Sequence, residues 1–203
     1  MKKYVIILTM AAAIFGSCSA DDPQMERTIF IPDQIDNQLP AYTEWGYNSF
    51  GAKFDRQYFL VSNNVIPCKI LYKNGVLNFS LSGYFGHNIY SHNETATLTF
   101  AIPFEQIREY TDLLALDNKK IELATPDCKI TFTQNEKMDT LNVVDGELYF
   151  QRAQMLFIDE QPNRVILSGV FDFRYLNGTD EFPVSVSDGR FDLGINKDVF
   201  YAY

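Results

Sequence analysis

The sequence predicts an all-β protein, an antiparallel β-barrel or sandwich with one short helix near residues 103–114. Three observations carry that expectation. From about residue 47 onward apolar residues alternate with polar ones more often than they recur at every third or fourth position, which is the period of a strand with one buried face. Turn-forming residues punctuate the pattern at Lys73-Asn74-Gly75, Gln161-Pro162-Asn163, Asn177-Gly178-Thr179 and Ser187-Asp188-Gly189. The composition is that of a folded chain, with 203 residues, 46% of them hydrophobic and 21% charged, enough for one core and too few for two full domains.

The N-terminus reads as an address. Met1-Lys2-Lys3 is a positive head and residues 4–15 form an apolar run of about a dozen residues, too short for the roughly 20 that a permanent transmembrane helix needs. Phe15-Gly16-Ser17-Cys18 then resembles the bacterial lipobox, with Phe15 where an aliphatic residue is usual, a departure found in lipoproteins of the Bacteroidetes. The resemblance implies a signal peptide of residues 1–17, cleavage before Cys18 and lipidation of Cys18. The alternative is a plain secretory signal cut after Ser17 or Ala20. Ser19-Ala20-Asp21-Asp22 is similar to the export tag of surface-exposed lipoproteins in that group, which implies an outer-membrane lipoprotein, surface-exposed or otherwise periplasmic.

Residues 18–40, polar and interrupted by Pro23, Pro32 and Pro40, read as a tether, with Thr28-Ile29-Phe30-Ile31 as an alternative first strand. Residues 41–203 read as a single all-β domain. Its strands are expected at 50–54, 57–61, 68–72, 76–81, 95–102, 120–124, 129–133, 147–151, 155–159, 164–175, 182–187 and 190–193. The strongest local signal is the pair 68–72 and 76–81, because Asn74-Gly75 suits a type I′ hairpin turn. Pro103 at a first-turn position, with Phe104, Ile107, Tyr110 and Leu114 spaced along one face, predicts the helix. An eight-stranded barrel spanning the outer membrane also fits the length, but Arg152, Asp172 and Arg174 interrupt the apolar band it needs.

Two phrases carry a wider resemblance. Residues 47–56, beginning Tyr47-Asn48-Ser49-Phe50-Gly51, and the closing pair Gly169-Val170-Phe171-Asp172-Phe173 and Asp188-Gly189-Arg190-Phe191-Asp192-Leu193 are similar to those of Bacteroidetes outer-membrane lipoprotein domains of unknown function. The resemblance implies an all-β domain and no activity. A closed barrel here would be similar in kind to the calycins, that is, lipocalin-like.

Cys18 aside, Cys68 and Cys128 permit one disulfide or two free thiols. Asp139-Thr140-Leu141 resembles the acceptor motif for O-glycosylation of exported Bacteroidetes proteins, which makes Thr140 a candidate. His87 and His92 are the only histidines, and their spacing gives no metal site. The acids at 180, 181, 188, 192 and 198 lack a calcium-loop spacing and read as a solvated face. No nucleophile phrase is present, so the expectation is a chain without catalytic residues, metal or cofactor. A net charge of −9 with no basic block argues against nucleic acid. Aromatic rings on a rigid β scaffold can recognise sugar faces, and Tyr42, Trp45, Tyr47, Tyr84 and Tyr90 form the candidate ligand surface, with core packing as the competing reading. The expected function is a lipid-anchored envelope domain binding a glycan, a small ligand or a partner protein. An envelope hydrolase that uses carboxylates, for example on glycans, is the alternative.

Overall fold

The computed structural model describes residues 27–62, 67–87, 94–105, 107–176, 178 and 182–203. Among them are eleven strands: β1 (Ser49–Phe54), β2 (Gln57–Val61), β3 (Cys68–Lys73), β4 (Val76–Gly86), β5 (Glu94–Pro103), β6 (Lys119–Glu122), β7 (Lys129–Gln134), β8 (Lys137–Ile158), β9 (Gln161–Leu176), β10 (Val184–Ile195) and β11 (Phe200–Ala202). Eight of these, β1, β2, β4, β5, β7, β8, β9 and β10, pair in that order, each antiparallel to the next, and β10 returns to pair with β1. This is a closed up-and-down barrel, in which closure removes the sheet edges that would template aggregation. The other three strands are additions. One edge of β4 serves β3 over residues 76–81 and β2 over residues 83–86, β11 runs parallel to β3, and β6 pairs with β8 at residues 147–150.

The expected hairpin is present: β3 and β4 meet at Asn74 and Gly75, both at positive φ (52° and 79°). Asn135-Glu136 (48° and 67°) and Asp159-Glu160 (49° and 63°) make tight turns with the same sign of φ between β7 and β8 and between β8 and β9. Glutamate seldom takes that conformation, which is why neither turn is legible in sequence. Residues 161–163 are therefore not a turn, and Pro162 lies inside β9 opposite Phe157. Ser187-Asp188-Gly189 is a bulge within β10, not a break between two strands. The polar residues 134–139 divide between the end of β7, the turn at 135–136 and the start of β8, whose 22 residues take in the strand expected at 147–151 and all but the last residue of that expected at 155–159.

The barrel is filled with phenylalanine. Phe50, Phe59, Phe79, Phe100, Phe150, Phe171, Phe173 and Phe191 are each at most 1% exposed. Phe79 contacts Phe191, Phe150 and Phe100 at centroid distances of 5.0, 5.6 and 6.2 Å, and Phe173 links this group to Phe54, which packs with Phe85 and Phe132. At two inward positions, both glycine, a Cβ would meet first the neighbouring strand's backbone, Leu60 O at Gly83 and Tyr149 O at Gly169, and then a core ring. A Cβ on Gly83 would lie 2.7 Å from Phe50 Cζ, and one on Gly169 would lie 2.7 Å from Phe191 Cζ. Alternating small and large residues is how a narrow barrel packs solid. The outer wall of β4 and β5 carries Ser80 hydrogen-bonded to Thr99 and Ser82 to Thr97, both at 2.9 Å. Apolar inside and hydroxylated outside is the reverse of a lipid-spanning barrel.

The helix is a 3-10 helix at Tyr110–Leu116, and Pro103 ends β5 instead of opening the helix. Its buried residues, Leu113 and Leu116, together with Ile107, repeat every three positions, the period at which 3-10 side chains eclipse. Leu114, on the face expected from an α-helical spacing, is exposed. Asp112 accepts the backbone amides of Arg108 and Glu109 at 2.8 and 3.0 Å, and those bonds hold its carboxyl below the usual range.

Residues 27–48 are a strap on the outside of the barrel, so the described part of the expected tether is folded. The strap is a ribbon of its own rather than a strand of the barrel sheet: the Ile29 amide donates to Tyr47 O (2.8 Å), the Ala41 amide to Ile31 O (2.7 Å), and Pro32 bridges Pro40. Leu39 and Pro40 press on Gly51, where a Cβ would meet Pro40 Cδ at 2.5 Å. Ion pairs fasten the outer turn, Asp33 to Arg190 at 2.9 Å and Asp36 to Lys53.

Candidate functional site

The chemistry of the outer wall is organised by one carboxylate. Asp192 sits between the core residues Phe191 and Leu193 on β10, so strand alternation turns it outward, and the strap then covers it to 1% exposure. Five donors converge on it: Thr43 Oγ1 (2.6 Å) and the amides of Trp45 (3.1 Å) and Tyr47 (3.2 Å) on Oδ2, and the Gly46 amide (2.7 Å) and Ser168 Oγ (3.0 Å) on Oδ1. Gly46, at φ 74°, lets three consecutive amides face the same carboxylate. Burial of a charge is tolerated only with such saturation.

The consequence is a fixed backbone beneath an exposed ring. Trp45 is 70% exposed although its own amide is held by Asp192. Beside it, the Tyr42 hydroxyl donates to Glu44 Oε1 (2.9 Å), Gln154 Nε2 donates to Glu44 O (3.1 Å), and Arg152 Nε donates to Gln154 Oε1 (3.3 Å). Burial and the Glu44 carboxylate push the Tyr42 hydroxyl well above its ordinary value. Tyr149, on β8, completes the wall. Its hydroxyl donates to Asn118 Oδ1 (2.5 Å), and Lys120 Nζ lies 4.7 Å from its ring centroid.

Of the expected aromatic surface, the structure brings Tyr42, Trp45 and Tyr47 together on the strap. Tyr84 is elsewhere, on β4 opposite Leu60 of β2, with β2 and β1 between it and the wall of β10. Tyr90 lies outside the described residues, as do Cys18 and His92. Tyr149, Arg152 and Gln154 are absent from the sequence-based set. Alternation with Leu148 and Phe150 marks Tyr149 as outward-facing, but its proximity to the strap is a tertiary fact.

Cys68 and Cys128 are free thiols in this structure, the second of the two alternatives. The register explains it: Cys68 pairs with Leu81, Leu81 with Leu98 and Leu98 with Phe132, so β4 and β5 stand between Cys68 and the strand that follows Cys128. Burial pushes the Cys68 thiol far up. Thr140 is exposed, on strand β8 and not in a loop. The acidic C-terminal residues are scattered in role: Asp192 is the strap's hub, Asp188 lies near Lys53 and Arg190, and Asp198 is engaged with Asn196. Among the described residues no group of three His, Cys, Asp or Glu side chains is placed to hold a metal ion. Glu147 and Asp172 are direct cross-strand neighbours on the wall, not residues opposed across a cleft, and burial together with repulsion from Glu147 and Asp145 raises the Asp172 carboxyl.

Comparison of the chain with protein-family models, with curated proteins and with solved structures found no match.

Proposed function

We propose that this chain is a lipid-anchored domain of the bacterial outer membrane, held by Cys18, that recognises its ligand on the outside of a solid barrel and performs no chemistry on it. The anchor rests on the export signal and the Phe15-Gly16-Ser17-Cys18 phrase, and the Bacteroidetes lipoprotein resemblance belongs to the same proposal. One observation favours recognition at the wall over a lined cavity: the eight buried phenylalanines fill the space that a lipocalin-like barrel would give to a ligand. With the interior filled, ligand would be met on the outer surface, and the strap wall is one place there where aromatic and polar groups meet solvent.

The test is a fractionation. The native protein should partition with outer membranes and its mature N-terminal peptide should carry acyl chains on Cys18, whereas Cys18→Ala should appear in the soluble fraction. Protease applied to intact cells should remove the domain, with lysed cells as the control. An unmodified N-terminus with the protein soluble would overturn the anchored reading, and protection in intact cells would place the domain on the periplasmic face.

A further inference from the structure

We infer that the wall formed by Tyr42, Glu44 and Trp45 of the strap with Tyr149, Arg152 and Gln154 of β8 is a binding site for a neutral oligosaccharide. The inference rests on the recognition reading above and names its ligand.

Three features of the wall converge on a sugar. An indole face offers electron density to the C–H groups on one side of a pyranose ring, and that contact is worth most when neither partner loses freedom on binding. Trp45 meets this condition for its backbone, since its ring is exposed while its amide and those of the two following residues are bound to a buried carboxylate. The second feature is the supply of polar groups around the ring. Glu44 uses Oε1 on Tyr42, and a carboxylate has further acceptor capacity. Arg152 uses Nε on Gln154, and among the described residues no hydrogen bond occupies its two terminal amino groups. Acceptor, donor and flat apolar face within one cluster match a ring that carries hydroxyls on its edge and C–H on its faces.

The third feature is that Tyr42, Glu44 and Gln154 are cross-bonded, so the strap and β8 form one fixed surface. Charge decides between sugar classes. A chain with net charge −9 repels an anionic polysaccharide at long range, which favours neutral sugar polymers, hexose or pentose, as the ligand class.

Trp45 is the chain's single tryptophan, so its emission reports on this site alone. The purified full-length protein would be titrated with cellohexaose, laminarihexaose, mannohexaose and xylohexaose, followed by fluorescence and by calorimetry. At least one should shift the emission and saturate. By calorimetry, Trp45→Ala should then weaken binding about tenfold or more and Arg152→Ala several-fold, with circular dichroism unchanged. Binding that survives Trp45→Ala and Arg152→Ala would overturn the site. Absence of binding to all four sugars would overturn the ligand class, and capture of a protein partner instead would do the same. Neither result touches the Cys18 lipid measurement, so failure of the sugar and failure of the anchor read out separately.

Discussion

At the scale of the residue, Asp192 is the position on which most depends. Its five donors come from the strap and from β9, so removing its charge should loosen both. Asp192→Asn keeps the shape but presents an NH2 group to amide donors, and should cost about 3 kcal/mol in urea unfolding. Asp172 behaves oppositely. Its carboxyl is raised, so the folded state disfavours its charged form: the penalty is absent below the ordinary carboxylate range, grows as pH rises, and is complete above the raised value. Asp172→Asn should therefore stabilise the protein at pH 7, by less than about 1 kcal/mol given its exposure, and should have no effect near pH 3. Thermal unfolding of both proteins at the two pH values checks the sign. A charge between two core residues, as in Phe191-Asp192-Leu193, is itself a sequence signal that a buried partner is waiting, but alternation alone cannot say which segment supplies it.

At the scale of the element, the strap is the part whose hold depends on pH. Asp33 is lowered by the amides of Ile35 and Asp36 and by Arg190; Asp36 is lowered because hydrogen bonds from Lys53, Gln38 and Tyr58 outweigh the opposing effect of burial. Lowered carboxyls contribute stability that is present above the ordinary value of 3.8 and lost as pH falls through the folded-state values. Amide protection in residues 31–41, corrected for the intrinsic exchange rate at each pH, should therefore fall relative to the barrel strands on going from pH 6 to about pH 3. Protection that changes equally in strap and barrel would mean that the ion pairs do not fasten it. The strap is also where sequence reading falls short. Its prolines and polar residues are those of a linker, and only contact with Gly51, Lys53 and Arg190 makes it structure. The barrel strands are legible because a buried face imposes a period of two on residues such as those of β4 and β5. The 3-10 helix is half legible: Ile107, Tyr110, Leu113 and Leu116 carry its period of three, next to an equally visible α-helical spacing at 107, 110 and 114.

At the scale of the molecule, the phenylalanine column makes the barrel one cooperative unit. Phe79 touches Phe100, Phe150 and Phe191 from three other strands, so Phe79→Ala opens a cavity that no single strand can collapse into. It should cost about 3–5 kcal/mol and leave a single unfolding transition of unchanged steepness, measured in denaturant. Two separated transitions would show that the groups around Phe54 and Phe79 melt independently.

The clasp between β1 and β10 also orders events in time. Gly51 pairs with Arg190, so the contact that closes the ring joins residues separated by most of the chain. Contacts of such sequence separation make folding slow, on the order of milliseconds to seconds. While it is being made, the chain can form its hairpins, but it cannot seal the column of rings or seat the strap on Asp192 until β10 has emerged. The polypeptide therefore stays an open, unsealed sheet until β10 is available to pair with β1.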